Sequence, residues 1–541
     1  MTLPDWSAND RVYFFDSTLR DGQQTQGVDF SVADKRALAT ALDQLGVRYI
    51  EGGWPGANHT DDAFFADPPS LGQAKLIAFG MTRRAGRSPE NDPGLSAVLN
   101  TRAHGACLVG KTWDFHVDVA LGLDHDEYLG MIGDTIAHAG ERTGEVMFDA
   151  EHFFDGYKNN PEFALRALGA AYEAGARWLV LCDTNGGTLP HEVEGIVTEV
   201  ATRFPGSRLG IHTHNDTGNA VANSLAAVRA GVRQVQGTLN GLGERCGNAN
   251  LIPIIASLAL KTDFDTGISA EQLRELTPTS RLLDERLNRS PSRNAPYVGE
   301  SAFAHKGGLH VSAIDRDPRT YEHIDPTQVG NRRHIVVSDQ SGRANIMARF
   351  REIGIEMDAD DPNVAALVER VKAREFEGYA YDGAEASFEL LARRALGQVG
   401  EYFALKRFRI MDDRRFNARG DLVTESEATV TSHVQGQDVM TVATGNGPVN
   451  ALDLALRKAL LEVYPQLEDM RLSDYKVRIL TPQAGTGAVT RVMIESTDSQ
   501  GRHWNTVGVS PNIVDASFNA LRDAITWKLY REGAIPSVSG G

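Results

Sequence analysis

Short apolar runs alternating with stretches of helical length recur through roughly the first 260 residues, and this alternation limits the fold more than any other feature. The runs fall at 12–15, 48–51, 75–79, 106–109, 145–149, 178–182, 208–212 and 233–237. Amphipathic stretches between and after them cover 32–45, 161–174, 191–203, 219–229 and 248–260. Eight strands alternating with helices over about 250 residues is the count and size of a (β/α)8 TIM barrel; a doubly wound open sheet is the alternative. The third and fourth units, around 83–111, carry the weakest pattern. A barrel gathers the segments that follow its strands at one mouth, so those segments are where chemistry is to be sought.

Polar, reactive residues stand there. The first run opens into DSTLRDG, with Asp16, Arg20 and Asp21; the second ends in Glu51-Gly52-Gly53; the fifth leads to Asp149-Ala150-Glu151-His152. The sixth leads to Asp183-Thr184-Asn185, the seventh to His212-Thr213-His214, and the eighth to GLGERCGN, which ends at Asn248. In an extended chain the period of two turns the His212 and His214 imidazoles to one side and Thr213 to the other. Two imidazoles with a carboxylate from elsewhere form a facial site with open positions for a divalent ion such as Zn, Mn, Co or Mg. Asp16, at the end of the first strand, is the expected carboxylate, since strands one, seven and eight lie together in a closed barrel. The competing reading makes both histidines hydrogen-bonded wall residues. Asn248 is either a fourth ligand or the N-cap of the last helix.

DSTLRDG, HTHND and GLGERCGN together resemble the 2-isopropylmalate synthase, homocitrate synthase and citramalate synthase family, metal-dependent enzymes that condense acetyl-CoA with a 2-oxo acid. The resemblance runs over essentially the whole chain. IEGGWPGAN and AFAHKGGLHVSAI look most like the branch whose 2-oxo acid is pyruvate; the isopropylmalate branch uses 2-oxoisovalerate. The family's reaction asks for a Lewis acid, which the site expected at Asp16, His212 and His214 would hold, and for substrate contacts, for which Arg20 and Asp21 are the candidates, Arg20 offsetting the alkoxide that forms. The resemblance implies that Thr184 hydrogen-bonds the substrate carboxylate and that Glu151 is the base toward acetyl-CoA. His310 and Tyr321 resemble a second acid/base pair that the family places over the active site of the partner subunit. Without the family, Arg20 could be a structural ion pair with Asp21 or Glu51, Thr184 a helix cap and His310 structural. A retro-aldol lyase and a catalytically silent amino-acid sensor are the other readings.

With 541 residues the chain exceeds one ordinary domain. We expect a catalytic barrel over 1–275, a linker and small helical subdomain over 276–400, and a C-terminal α+β domain over 401–541. The last contains an internal repeat, since 442–460 and 507–525 align without gaps, each copy reading as strand–strand–helix. By resemblance this domain binds an end-product amino acid, isoleucine or leucine, and joins two chains in a homodimer. A net charge of −17 argues against a nucleic-acid partner. No stretch reads as a signal peptide or membrane span, and Cys107, Cys182 and Cys246 form no metal or disulfide pattern, so a cytoplasmic protein is expected.

Overall fold

The eight apolar runs are parallel strands of one closed barrel in the computed structural model of the chain. The structure describes residues 10–305, 307–335, 343–355, 362–416 and 418–537. The strands are β1 (Tyr13–Asp16), β2 (Tyr49–Gly53), β3 (Lys75–Met81), β4 (Gly105–Lys111), β5 (Glu145–Glu151), β6 (Trp178–Asp183), β7 (Leu209–Thr213) and β8 (Gln234–Gly237). Pairing of Tyr13 with Gln234 and of Asp16 with Gly237 joins β8 back to β1 and closes the ring.

Alternation along each strand sorts the side chains into two layers. Phe15, Tyr49, Ile77, Cys107, Met147, Trp178, Val180 and Cys182 pack together inside the barrel. Their neighbours Phe14, Ile50, Leu108, Phe148, Leu179, Leu181 and Ile211 belong to the larger core between strands and helices. The first helix, α1 (Val32–Leu45), occupies its expected span. Ser31 and Asp34 close a capping box at its start, and Gly46, at φ 91°, ends it in the left-handed conformation that glycine adopts without a Cβ penalty. The weak third and fourth units contain a seven-residue helix, Pro93–Leu99, and after β4 a π-helical turn, Val117–Leu121. Neither is long enough to show a helical period; the sixteen-residue helix His125–Gly140 that completes the fourth unit is, and it was not among the stretches read from the sequence.

The chain divides into two compact units, one of residues 1–303 and 324–333 and the other of 304–323 and 334–541. The barrel unit includes the helix Leu276–Arg286, whose Leu276 and Leu283 join the outer core. In the second unit the helices Arg343–Glu352, Pro362–Phe376 and Glu385–Ala395 precede two antiparallel sheets. One sheet is formed by Ala404–Phe416, Leu422–Val434 and Gln437–Gly445, followed by the helix Pro448–Leu460. The other is formed by Arg471–Ile479, Thr490–Thr497 and His503–Ser510, followed by Ile513–Arg531. The repeat is therefore present, with one more strand per copy than expected. The first strands, ALKRFRIMDDRRF and RLSDYKVRI, are too charged to read as apolar runs.

Candidate active site

Period two on β7 places His212 inward, between Ile211 and Thr213, which face the helices. His214 follows on the same side. Their Nε2 atoms lie 3.4 Å apart, and the Asp21 carboxylate stands 3.3 Å from His212 Nε2 and 3.9 Å from His214 Nε2. All three side chains are buried, and one ligand atom from each lies within 4.8 Å of the others.

The carboxylate expected from Asp16 comes instead from Asp21. Phe15 is inside the barrel, so Asp16, the next residue, faces outward. There it accepts hydrogen bonds from Thr18 N (2.8 Å) and Thr18 Oγ1 (2.9 Å), and Thr18 Oγ1 in turn accepts from Leu239 N (2.8 Å). Burial raises the Asp16 carboxyl to about 7 despite these bonds, a group that clamps its own loop to β8 rather than one aimed at a cation. The chain then turns through Arg20 and Asp21 back over the mouth.

Neighbours fix the imidazoles for ligation. His212 Nδ1 lies 2.9 Å from Gln236 Oε1, and Gln236 Nε2 donates to Asp149 Oδ1 at 3.1 Å. The amide oxygen accepts a hydrogen bond from Nδ1–H, so Nε2 presents its lone pair toward Asp21 and His214. Burial opposes charge on His212, but Asp21 and Asp149 more than offset it and raise its pKa. Burial and the neighbouring His212 lower His214 to about 4, which keeps it neutral. Burial alone would raise the Asp21 carboxyl; Arg20 and the imidazoles hold it well below the usual carboxylate range. Asn248 bridges to the His214 backbone, its Nδ2 donates to Leu242 O at 3.1 Å, and its Oδ1 is buried without a hydrogen-bond partner. Its alternative role as a helix cap falls to Asn250, which caps Leu251–Lys261. Three converging ligand atoms, with an orphaned buried acceptor on a residue whose backbone bridges to His214, fit an oxygen- and imidazole-bound divalent cation.

Arg20 makes both ion pairs that were weighed for it, with Glu51 Oε2 at 2.7 Å and with Asp21 at 3.7 Å. It also stacks 4.0 Å from the centre of the Phe79 ring and still lines the cavity. Glu51 is buried, bonded to Ser17 Oγ as well as Arg20, and its second oxygen has no partner. Burial raises its pKa, with Arg20 acting against that rise. The cavity, of about 330 Å³, is further lined by Trp54, Val109, Lys111, Glu151, Thr184 and Arg245.

Thr184 caps no helix. Its Oγ1 accepts from His152 N at 2.8 Å, which leaves its hydroxyl proton for an acceptor in the cavity. His152 itself adopts φ 56°, ψ 35°, a left-handed conformation costing roughly 1–2 kcal/mol for a residue with a Cβ. Contacts with Asp155 (3.2 Å) and the His116 ring (4.4 Å between centres) hold it there. Arg245 braces the loops after β6, β7 and β8, with Nε and Nη2 on Asp216 (2.8 and 2.9 Å) and Nη2 also on Thr184 O (2.7 Å). Glu151 reaches the mouth as expected, ion-paired with Lys111 of β4. Lys111 and Gln236 had no assigned role in the sequence, and Glu51 only that of a pairing partner for Arg20, although the period of two on β4 carries the signal for Lys111, two residues past Val109. His310 and Tyr321 lie in the second unit, where their rings stack 4.1 Å apart.

Three family profiles match the chain: HMGL-like over 11–279, homocitrate synthase post-HMGL domain-like over 297–377, and LeuA allosteric (dimerisation) domain over 382–529. They define an HMGL-type barrel enzyme, a transferase. The chain belongs to the (R)-citramalate synthase family. It is 50% identical to the (R)-citramalate synthase of Aquifex aeolicus and 51% identical to that of Geobacter sulfurreducens, in each case over 97% of this chain and 98% of the relative. A probable 2-isopropylmalate synthase of Methanopyrus kandleri is 33% identical over 95% of this chain and 97% of that one. The chain thus stands with the citramalate rather than the isopropylmalate synthases.

Proposed function

We propose that this enzyme condenses acetyl-CoA with pyruvate and water to give (R)-citramalate and free CoA. The convergence of Asp21, His212 and His214 beside Arg20 carries this reading, in a chain half identical to synthases of that name over its full length. A divalent cation held by Asp21, His212, His214 and Asn248 would polarise the 2-oxo carbonyl as a Lewis acid. Arg20, oriented by Glu51 and the Phe79 ring, faces the oxygen on which charge develops and is in place before that charge forms. The Thr184 hydroxyl donates to the substrate carboxylate. Glu151 takes a proton from the acetyl methyl group. Trp54, Phe79, Met81 and Val109 bring apolar surface to this cavity, a setting for the methyl group of pyruvate that crowds a branched side chain. His310 and Tyr321 serve as an acid/base pair for the partner subunit in a homodimer, as the LeuA-type domain supports. That domain binds isoleucine as feedback effector, leucine being the alternative. Three free cysteines suit a cytoplasmic enzyme.

The test is release of CoA thiol from acetyl-CoA with pyruvate and, separately, with 2-oxoisovalerate, each with and without a chelator and with added isoleucine. Chelator-sensitive release with pyruvate, inhibited by isoleucine, is the expected outcome. Release with the branched acid alone would move the enzyme to the isopropylmalate reaction, and release unaffected by exhaustive chelation would reject the metal centre.

A further inference from the structure

Lys111 ends β4 in register with Glu151 at the end of β5. The two follow the inward residues Val109 and Asp149, and their ammonium and carboxylate pair at the barrel mouth. This pair stands on a shared wall. Trp54, Met81, Val109, Lys111 and Glu151 line both the polar cavity around Arg20 and an adjoining cavity of about 260 Å³. The second cavity is faced by Leu95, Leu123 and Met131, an apolar setting for a thioester arm. The arginines of the polar cavity, Arg20 and Arg245, do not line the second cavity, whereas Lys111 lines both.

Joining a thioester to a 2-oxo acid makes two electrostatic demands. The alkoxide is met by Arg20 on the polar side. The thioester must first lose a methyl proton, and the electron pair so released places negative charge on the thioester oxygen.

We propose that Lys111 is a catalytic residue whose ammonium stabilises the thioester enolate as Glu151 takes the methyl proton; this rests on the reading of Glu151 as base. The methyl C–H bond breaks, its proton passes to the Glu151 carboxylate, and its electrons form the carbon–carbon double bond while charge moves to the thioester oxygen. Glu151 becomes neutral, so the attraction that held Lys111 is transferred to the new oxyanion, and the net charge of the group does not change. The methylene carbon then bonds to C2 of the 2-oxo acid, whose oxygen takes the charge opposite Arg20. A donor placed in advance where charge forms is worth about a hundredfold in rate.

The experiment compares full-length wild type with Lys111→Met, Lys111→Arg and Lys111→Gln, measuring kcat, KM for pyruvate and the isotope effect with methyl-deuterated acetyl-CoA. Lys111→Met should lower kcat about a hundredfold, leave the pyruvate KM within about threefold and raise the isotope effect, as proton abstraction becomes limiting. Lys111→Arg, which keeps the charge, should recover to within about tenfold of wild type, and Lys111→Gln should not. A Lys111→Met enzyme within about threefold of wild-type kcat overturns the proposal; so does equal activity of the Arg and Gln variants, a comparison that stands even if Lys111→Met fails to fold. A wild type that releases no CoA with pyruvate sinks the functional reading itself, whereas an active wild type with an unimpaired Lys111→Met sinks only this inference.

Discussion

At the scale of single residues, two carboxylates on one loop divide the work by the direction in which each leaves the strand. Asp21 returns to the mouth and meets both imidazoles, while Asp16 is spent on Thr18. Asp21→Asn should therefore weaken Mn²⁺ binding at least a hundredfold, measured by titration calorimetry, and abolish CoA release. Asp16→Asn should leave that affinity within a few-fold and lower the thermal midpoint instead; the reverse pattern would return the ligand role to Asp16. The period of two made His212 and His214 legible as a pair from sequence. Carried to β1 it would also have excluded Asp16, because Phe15 is the inward residue there. The partners that orient the ligands were not legible. Gln236 stands on another strand from His212, and only closure of the barrel brings them together, whereas the pairing of Arg20 with Glu51 was already one of the readings open in the sequence.

At the scale of elements, a buried ammonium ties the first loops together. Lys35, on α1, donates to Leu19 O (2.8 Å) and Gly52 O (3.1 Å) and pairs with Asp61. Asp61 also accepts from Trp54 N at 2.8 Å and packs where a Cβ on Gly53, at φ 145°, would stand 2.4 Å from its Cγ. This leaves Gly53 the residue that fits, which gives the Gly52-Gly53 pair its reason. Removing one partner of a buried pair costs about 3–5 kcal/mol. Lys35→Ala should lower the unfolding free energy of the barrel by that amount in urea titration, and a loss below about 1 kcal/mol would show that water replaces the pair. In the C-terminal unit, Asp498 is bonded to Arg502 Nε (2.7 Å) and Lys528 Nζ (3.0 Å). Burial would raise its carboxyl, but these cations hold it below the usual range. A lowered folded pKa stabilises above the unfolded value and is lost as pH falls through the carboxylate range toward the folded value. The calorimetric midpoint of that unit should drop on acidification below about pH 4, and Asp498→Asn should flatten the drop. An unchanged slope would assign the acid sensitivity elsewhere. Most strand and helix positions were legible where alternation or amphipathicity ran for a full element, the helix His125–Gly140 being an exception that the sequence reading did not pick out. The charged first strands of each C-terminal sheet were not, because their side chains are largely exposed and carry no apolar period.

At the scale of the whole molecule, the order of parts follows a division of labour. A barrel that brings eight loops to one mouth supplies the chemistry, and a repeated three-strand-and-helix unit follows it, the first matched by the HMGL-like profile and the second by the LeuA allosteric (dimerisation) profile. The count of eight alternating units makes the barrel legible without any motif, and the branch within the family, read from IEGGWPGAN and AFAHKGGLHVSAI, is the one that the relatives matched over nearly the whole chain bear out. In the function proposed above, the condensation is organised by one cation at Asp21, His212 and His214. That reading is met most directly by crystals of the enzyme grown with Mn²⁺ and pyruvate, with diffraction recorded near the manganese absorption edge. A single anomalous peak is expected in the barrel mouth, bonded to Asp21, His212 and His214, with pyruvate oxygens beside it within reach of Arg20 and Thr184. A peak on Asp16, or pyruvate bound with no manganese at the three side chains, would contradict that reading.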